Sequence, residues 1–234
     1  MLAQPLRVGL IVPSSNTVME PDFHRHLGPA CVVSTTRIFL EDVTREAEIR
    51  MLEGDLPRAA ELIGTTAPDI VVFGCTSAGA LGSSAHDAGI GEVIAKRVNA
   101  RVVTVLGAVL AQLRAMAPRR VALFTPYIED LTSSIAASLA EAGFPPVKSA
   151  GMGIRANVEI GRITPGEIVR FVEAQVGAAA PDCVFLSCTN WRAMEAIETL
   201  RQAFGVPIIS SNQAAVHAVQ HAAAERGAAG HSTR

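Results

Sequence analysis

One segment of the 234-residue chain occurs twice. Pro68-Asp69-Ile70-Val71-Val72-Phe73-Gly74-Cys75-Thr76 returns 113 residues later as Pro181-Asp182-Cys183-Val184-Phe185-Leu186-Ser187-Cys188-Thr189. The same offset carries Arg7-Val8-Gly9-Leu10 onto Arg120-Val121-Ala122-Leu123, and Pro13 onto Pro126. A unit about half the chain long therefore repeats, and whatever topology one half adopts the other must share. Each copy delivers one cysteine at the end of an apolar run, just before a Thr/Ser-rich turn. A strand handing over to a helix would end there, and helix amides at such a junction favour a thiolate.

Short β-branched runs alternate with amphipathic stretches, the pattern of parallel sheets flanked by helices in an α/β fold. The first half predicts strands at 6–12, 31–38, 69–74 and 101–105, a connection around 17–28, and helices at 45–66 and around 88–98. The second predicts strands at 120–125, 146–151, 182–187 and 206–210, with helices at 107–117, 129–142, 164–179, 190–203 and 212–225. This divides the chain into two pseudo-symmetric Rossmann-like halves: 1–106 with the C-terminal helix 212–225, and 107–211. Residues 226–234 carry too little apolar content to pack and read as a flexible tail. No Gly/Ser- or Pro-rich linker parts the halves, so they should share a tight interface with a cleft between them. Ligands in open α/β sheets gather at the carboxyl ends of strands. Those ends hold 13–16, 74–77, Pro126-Tyr127, 187–190 and 210–213, all of them polar.

Composition excludes several function classes. A formal net charge of −2 and 18% charged residues give no basic stripe for nucleic acid and no polybasic arm for a membrane. No apolar run approaches the ~20 residues of a spanning helix, and the first strand begins within a few residues of Met1 without a charged leader. The expected setting is the cytoplasm, where Cys31, Cys75, Cys183 and Cys188 remain free thiols; a homo-oligomer is compatible with this reading.

Cys31 and Cys183 fall at or inside predicted strands and suit buried packing roles. Cys75 and Cys188 differ, because their repeat-related, strand-terminal positions and hydroxyl neighbours are hard to obtain from packing needs alone. Other motifs carry less. His24-x-His26 has no third ligand at a suitable spacing, so no metal is expected. Gly151-Met152-Gly153 lacks the third glycine of a dinucleotide loop, and neither lysine, Lys96 or Lys148, lies at a predicted strand end to hold pyridoxal. His86, His217 and His221 are available as bases, although His217 and His221, four apart on the last helix, equally suit its surface. The expected chemistry comes from side chains without a cofactor.

Taken together, Ile11-Val12-Pro13-Ser14-Ser15-Asn16-Thr17, Gly74-Cys75-Thr76-Ser77, Pro126-Tyr127, Asn157 and Ser187-Cys188-Thr189-Asn190 resemble the aspartate/glutamate racemase superfamily. Within it the chain is most similar to the maleate cis-trans isomerase and arylmalonate decarboxylase branch, over nearly its whole length. The resemblance implies a cofactor-independent site between two Rossmann-like halves. It also implies an isomerase rather than a decarboxylase, since decarboxylases of this type keep only the second cysteine, whereas the isomerases keep both, with an asparagine in the first turn and a tyrosine and an asparagine in the second half. Carried over, Cys75 is the thiolate that adds to an alkene carbon of maleate and Cys188 the acid that protonates its neighbour. Asn16, Tyr127 and Asn157 hydrogen-bond the carboxylates, and Thr76, Ser77, Thr189 and Asn190 complete the cradle. The turn Thr76-Ser77-Ala78-Gly79-Ala80-Leu81 is closer to members of other specificity. Two further readings thus stay open: a two-cysteine racemase or epimerase acting beside a carboxylate, and a non-catalytic dicarboxylate-binding protein.

Overall fold

The computed structural model describes residues 4–82 and 84–231. The first half runs β1 (Leu6–Pro13), α1 (Met19–Leu27), β2 (Cys31–Ile38), α2 (Arg45–Gly54), α3 (Leu56–Gly64), β3 (Ile70–Phe73), α4 (Thr76–Gly79), α5 (Ser84–Ala95) and β4 (Arg101–Thr104). The second runs α6 (Val105–Met116), β5 (Val121–Tyr127), α7 (Glu129–Glu141), β6 (Lys148–Ile154), α8 (Asn157–Arg162), α9 (Pro165–Val176), β7 (Cys183–Leu186), α10 (Ala193–Phe204), β8 (Ile208–Ser210) and α11 (Ser211–His231). Two four-stranded, wholly parallel sheets result, in the orders β2-β1-β3-β4 and β6-β5-β7-β8. The α/β class and the repeated topology expected from the sequence are both present.

The repeat extends to single hydrogen bonds. The Asp69 amide donates to the Arg7 carbonyl and its carboxylate accepts from the Arg7 amide, both at 2.8 Å. In the second copy the Asp182 amide donates to the Arg120 carbonyl (3.0 Å), while its carboxylate accepts from the Arg120 and Arg119 amides at 2.9 Å. Each Pro-Asp pair thus ties the start of its strand to the central strand of its sheet, following an alanine at left-handed φ (Ala67 46°, Ala180 39°). At the other end the Gly74 amide donates to the Ile11 carbonyl (2.8 Å) and the Ser187 amide to the Phe124 carbonyl (2.9 Å). Cys75 and Cys188 follow immediately after these last rungs.

Several expectations change in detail. The helix expected over 45–66 is two helices, because Pro57 in the first turn of α3 can neither donate a backbone bond nor continue α2. The helix foreseen around 88–98 begins at Ser84, and α4 and α8 were not anticipated. The last helix continues to His231 rather than giving way to a tail at 226; residues 232–234 of that expected tail lie outside the described residues. No helix among the described residues is long and apolar enough to cross a membrane.

The main apolar core is continuous between the halves. It runs from Leu6, Val8, Leu10 and Val12 through α6 and α11 to Val121, Leu123, Phe185 and Trp191. A second cluster, with Ile11, Met51, Leu56, Ile63, Phe73 and Cys75, covers the other face of the first sheet. Packing is close where β3 ends. A methyl group on Gly74 would stand 2.5 Å from Met19 Sδ, 2.9 Å from Val12 Cγ1 and 3.1 Å from the Ile11 carbonyl oxygen. The sulfur can swing aside, but the carbonyl is fixed by its bond to the Gly74 amide. Gly74→Ala should therefore destabilise the protein by about 1–3 kcal/mol in urea denaturation. An unchanged midpoint at unchanged slope would mean that β1 and β3 can part there without cost.

Candidate active site

The two central strands and their neighbours aim their carboxyl ends at a common cavity. Its wall is formed by Pro13 at the end of β1 and Asn16 beyond it, Leu40 and Val43 after β2, and Cys75 and Ser77 after β3. The second half adds Tyr127 at the end of β5, Asn157 at the start of α8, and Cys188, Thr189 and Asn190 after β7. Of the catalytic and substrate-binding residues that the resemblance implies, Thr76 alone is not on that wall. Its hydroxyl turns away to donate to Ser211 Oγ at 2.9 Å. Among the candidate bases, His86 bonds the Ala78 carbonyl (3.0 Å), while His217 and His221 sit exposed on α11.

Side chains from both halves are bonded across the cleft. Asn16 closes its own turn by accepting from the Val18 and Met19 amides (both 3.0 Å), which leaves its Nδ2 to donate to Thr189 Oγ1 at 3.0 Å. Thr189 Oγ1 in turn donates to the Gly74 carbonyl at 2.9 Å, next to Cys75. Asn190 accepts from the Thr17 amide (2.8 Å) and donates to the Asn157 carbonyl (2.7 Å), and Asn157 Nδ2 donates to Ser15 Oγ (2.8 Å). All four of Asn16, Asn157, Thr189 and Asn190 are buried. A buried amide leaves such a network only for partners at least as good, and a carboxylate is one.

Tyr127 is aimed by an irregularity. The register between β5 and β6 shifts between Thr125 and Tyr127, which bends the strand end and re-directs the side chain. Its hydroxyl faces Cys188, whose sulfur accepts from the Asn190 amide at 3.2 Å, and the Tyr127 hydroxyl and the Trp191 amide both pull the Cys188 pKa down. Segment 39–44, which lends Leu40 and Val43 to the wall, is tied to the second half: the Val43 amide donates to the Arg155 carbonyl (2.7 Å), the Asn157 amide to the Glu41 carbonyl (3.0 Å), and Asp42 pairs antiparallel with Ala156. The cavity has about 10 Å³ of free volume, the room of roughly one water molecule.

The thiol acidity expected from the sequence is not what this geometry produces. Burial, followed by the nearby Glu48 charge, pushes the Cys75 thiol well above the ordinary cysteine range. Burial also pushes Cys188 up to about 12, against the pull of Tyr127 and the Asn190 amide. Both are neutral thiols at rest. The physical reason is that α4 has a single turn and α10 begins only at Ala193, so little helix dipole is available to offset desolvation.

A carboxyl absent from the sequence reading stands behind Cys75. Glu48, on α2, is fully buried; its Oε1 accepts from Cys75 Sγ at 3.8 Å and from Ser77 Oγ in a short hydrogen bond. Cys75 Sγ and Ser77 Oγ are 3.7 Å apart, so the three groups touch one another. Burial pushes the Glu48 carboxyl up to about 8, opposed by the bonds from Ser77 and Cys75 and by the Arg45 guanidinium.

With this geometry in place, the comparisons with known proteins are specific. The family model described as arylmalonate decarboxylase matches residues 8–233. The chain is 27% identical to a maleate isomerase of Nocardia farcinica, over 91% of this chain and 88% of that one. It is 30% identical to an arylmalonate decarboxylase of Bordetella bronchiseptica, over 88% and 86%. Among solved structures, a mutant of the Nocardia farcinica maleate cis-trans isomerase with a covalently bound succinylcysteine intermediate superposes with a TM-score of 0.86 at 26% identity, covering 92% of this chain and 91% of that one. An unliganded arylmalonate decarboxylase superposes with a TM-score of 0.78 at 25% identity, covering 93% and 92%.

Proposed function

The chain belongs to the arylmalonate decarboxylase family, and within that family we propose that it is a cofactor-independent cis-trans isomerase of maleate or a similar small dicarboxylate. The observation that carries this reading is the pair of cysteines, Cys75 and Cys188, on the wall of one cavity, each supplied by its own half of the repeat. The succinylcysteine in the Nocardia farcinica relative supports it, since a succinyl thioether is what remains when a thiol adds across the double bond of maleate.

The chemistry follows from the double bond, which forbids rotation until it is saturated. Cys75 sulfur forms a bond to one alkene carbon, and the π pair moves to the other carbon, next to a carboxylate that delocalises it. Cys188 delivers its proton there. A neutral thiol that holds its proton up to about 12 suits this role, because it gives the proton only to a strongly basic carbon. The Tyr127, Asn190 and Trp191 donors then receive the thiolate left on Cys188. Rotation about the new single bond, return of a proton to Cys188 and expulsion of Cys75 complete the conversion to the trans acid. Asn16, Asn157, Thr189 and Asn190 supply neutral donors for the two carboxylates, exchanging the bonds of their network for bonds to the substrate, while Ser77 stays beside Cys75. With only about 10 Å³ free, entry requires the wall to open. We assign the reaction to the cytoplasm, where four free thiols persist.

Proton NMR in deuterium oxide tests the reading. Maleate should disappear as fumarate forms, with deuterium entering at one carbon when the Cys188 proton exchanges with solvent. Protein that binds maleate but forms no fumarate over long incubation would overturn the assignment. Deuterium exchange and inversion of a stereocentre beside a carboxylate, in an amino acid for example, would replace it with a racemase.

A further inference from the structure

Neutral thiols create a difficulty that the site itself resolves. Cys75 must lose its proton before its sulfur can add to an alkene, and neither a histidine nor a lysine is on the cavity wall to take it. The group that touches the sulfur on the side away from the cavity is Glu48. We propose that Glu48 is the catalytic base of the Cys75 nucleophile, accepting the thiol proton as sulfur attacks and returning it as sulfur leaves; this rests on the isomerase reading above.

Three observations carry the assignment. Cys75 Sγ donates to Glu48 Oε1 at 3.8 Å, and Ser77 Oγ spans the same two atoms, so a proton path exists without movement of the backbone. Glu48 is not on the cavity wall, which suits a group acting on the thiol rather than one binding substrate. Its second oxygen, Oε2, is buried with no hydrogen-bond partner among the described residues. A fully buried carboxyl with an unsatisfied oxygen weakens a fold, and a helix with exposed glutamates at positions 46 and 53 has no packing need for a carboxyl on its inner face.

The step balances within the site. Once Glu48 is ionised, which burial delays to about pH 8, the S–H bond of Cys75 breaks and an O–H bond forms on Glu48, so the pair carries one negative charge before and after. The sulfur pair becomes the C–S bond, the π pair becomes the C–H bond to the proton from Cys188, and elimination reverses each transfer. The ionisable groups around Glu48 are Arg45 on its own helix, Cys75 on the β3 turn, and Tyr127 and Cys188 from the second half. Arg45 alone can carry positive charge. Its guanidinium is held outward by the Leu81 carbonyl (2.8 Å), Ser134 Oγ (2.7 Å) and the Asp130 carboxylate (3.6 Å). It lowers the Glu48 pKa without neutralising the carboxyl, which should ionise near pH 8.

The test is peptide-resolved alkylation of the intact protein by iodoacetamide between pH 6 and 9.5, with Cys188, on the same cavity wall, as internal control for opening. In the wild type the Cys75 rate should rise through about pH 8. In Glu48→Gln it should fall at least about tenfold at pH 8, while Cys188 labelling changes less than about twofold. Glu48→Asp, with the carboxyl withdrawn by one methylene, should lie between them, and it serves alone if the glutamine variant fails to fold. Loosening of the structure would raise both cysteines together and would overturn the proposal, as would a Cys75 profile unchanged in both variants. The isomerase reading fails separately, if wild-type Cys75 is alkylated as described yet the enzyme makes no fumarate.

Discussion

Cys75→Ser should lose at least about a thousandfold in kcat with little change in fold, because serine keeps the volume but its hydroxyl is too weakly acidic to be ionised by a carboxyl beside it. Cys188→Ala should fail in a different way. Cys75 still adds, the carbanion takes a solvent proton slowly, and no base remains to remove a proton and release the product. Intact-protein mass spectrometry of that variant after incubation with maleate should show one added equivalent of the acid, mapped to the peptide containing Cys75. The adduct should be absent from Cys75→Ser and from the double variant. A racemase predicts no adduct in any of them, and a Cys188 variant that still exchanges the substrate proton from one face. An adduct on Cys188 instead of Cys75 would reverse the two roles. Equal turnover in all variants would remove both cysteines from the chemistry.

How much of this was legible in the sequence differs by level. The repeat fixed two like halves, and the strand ends at Asn16, Cys75, Tyr127 and Cys188 were identifiable because polar residues interrupt apolar runs there. Asn157 was legible only through family resemblance, since nothing local distinguishes the start of a six-residue helix. Thr76 and Ser77 are adjacent hydroxyls, and the turn of a four-residue helix decides that Ser77 reaches Cys75 while Thr76 reaches Ser211. Thiol acidity is not legible, because sequence reveals a strand-to-helix junction but not how little water reaches it. Glu48 was hidden for a related reason. Its spacing to Met51 and Leu52, both buried or partly so, puts a carboxylate on an apolar face, but Glu46, Glu53 and the exposed Ile49 blur that stripe. Only the packing of α2 against α4, beside the end of β3, turns an ordinary glutamate into a buried one.

That burial should be measurable as stability. Below about pH 4.5, the ordinary value for glutamate, the Glu48 carboxyl is neutral whether the chain is folded or not. As pH rises further the unfolded chain releases this proton, whereas the folded protein keeps it until about pH 8. Ionisation therefore favours the unfolded chain across that window, and the wild type loses stability at up to about 1.4 kcal/mol per pH unit from this one group, amounting to a few kcal/mol. Above pH 8 the loss levels off. Glu48→Gln cannot ionise and keeps a donor and an acceptor for Ser77, so the glutamine variant should gain on the wild type steadily between pH 5 and 8. Asp22 and Asp87, also raised by burial, add slopes of the same sign, but they are present in both proteins and cancel in the difference. Urea denaturation of the two proteins at pH 5, 6.5 and 8 measures it. A difference that stays constant with pH would mean that Glu48 ionises in the folded protein as it does in water, and that the carboxyl behind Cys75 is solvated rather than sealed.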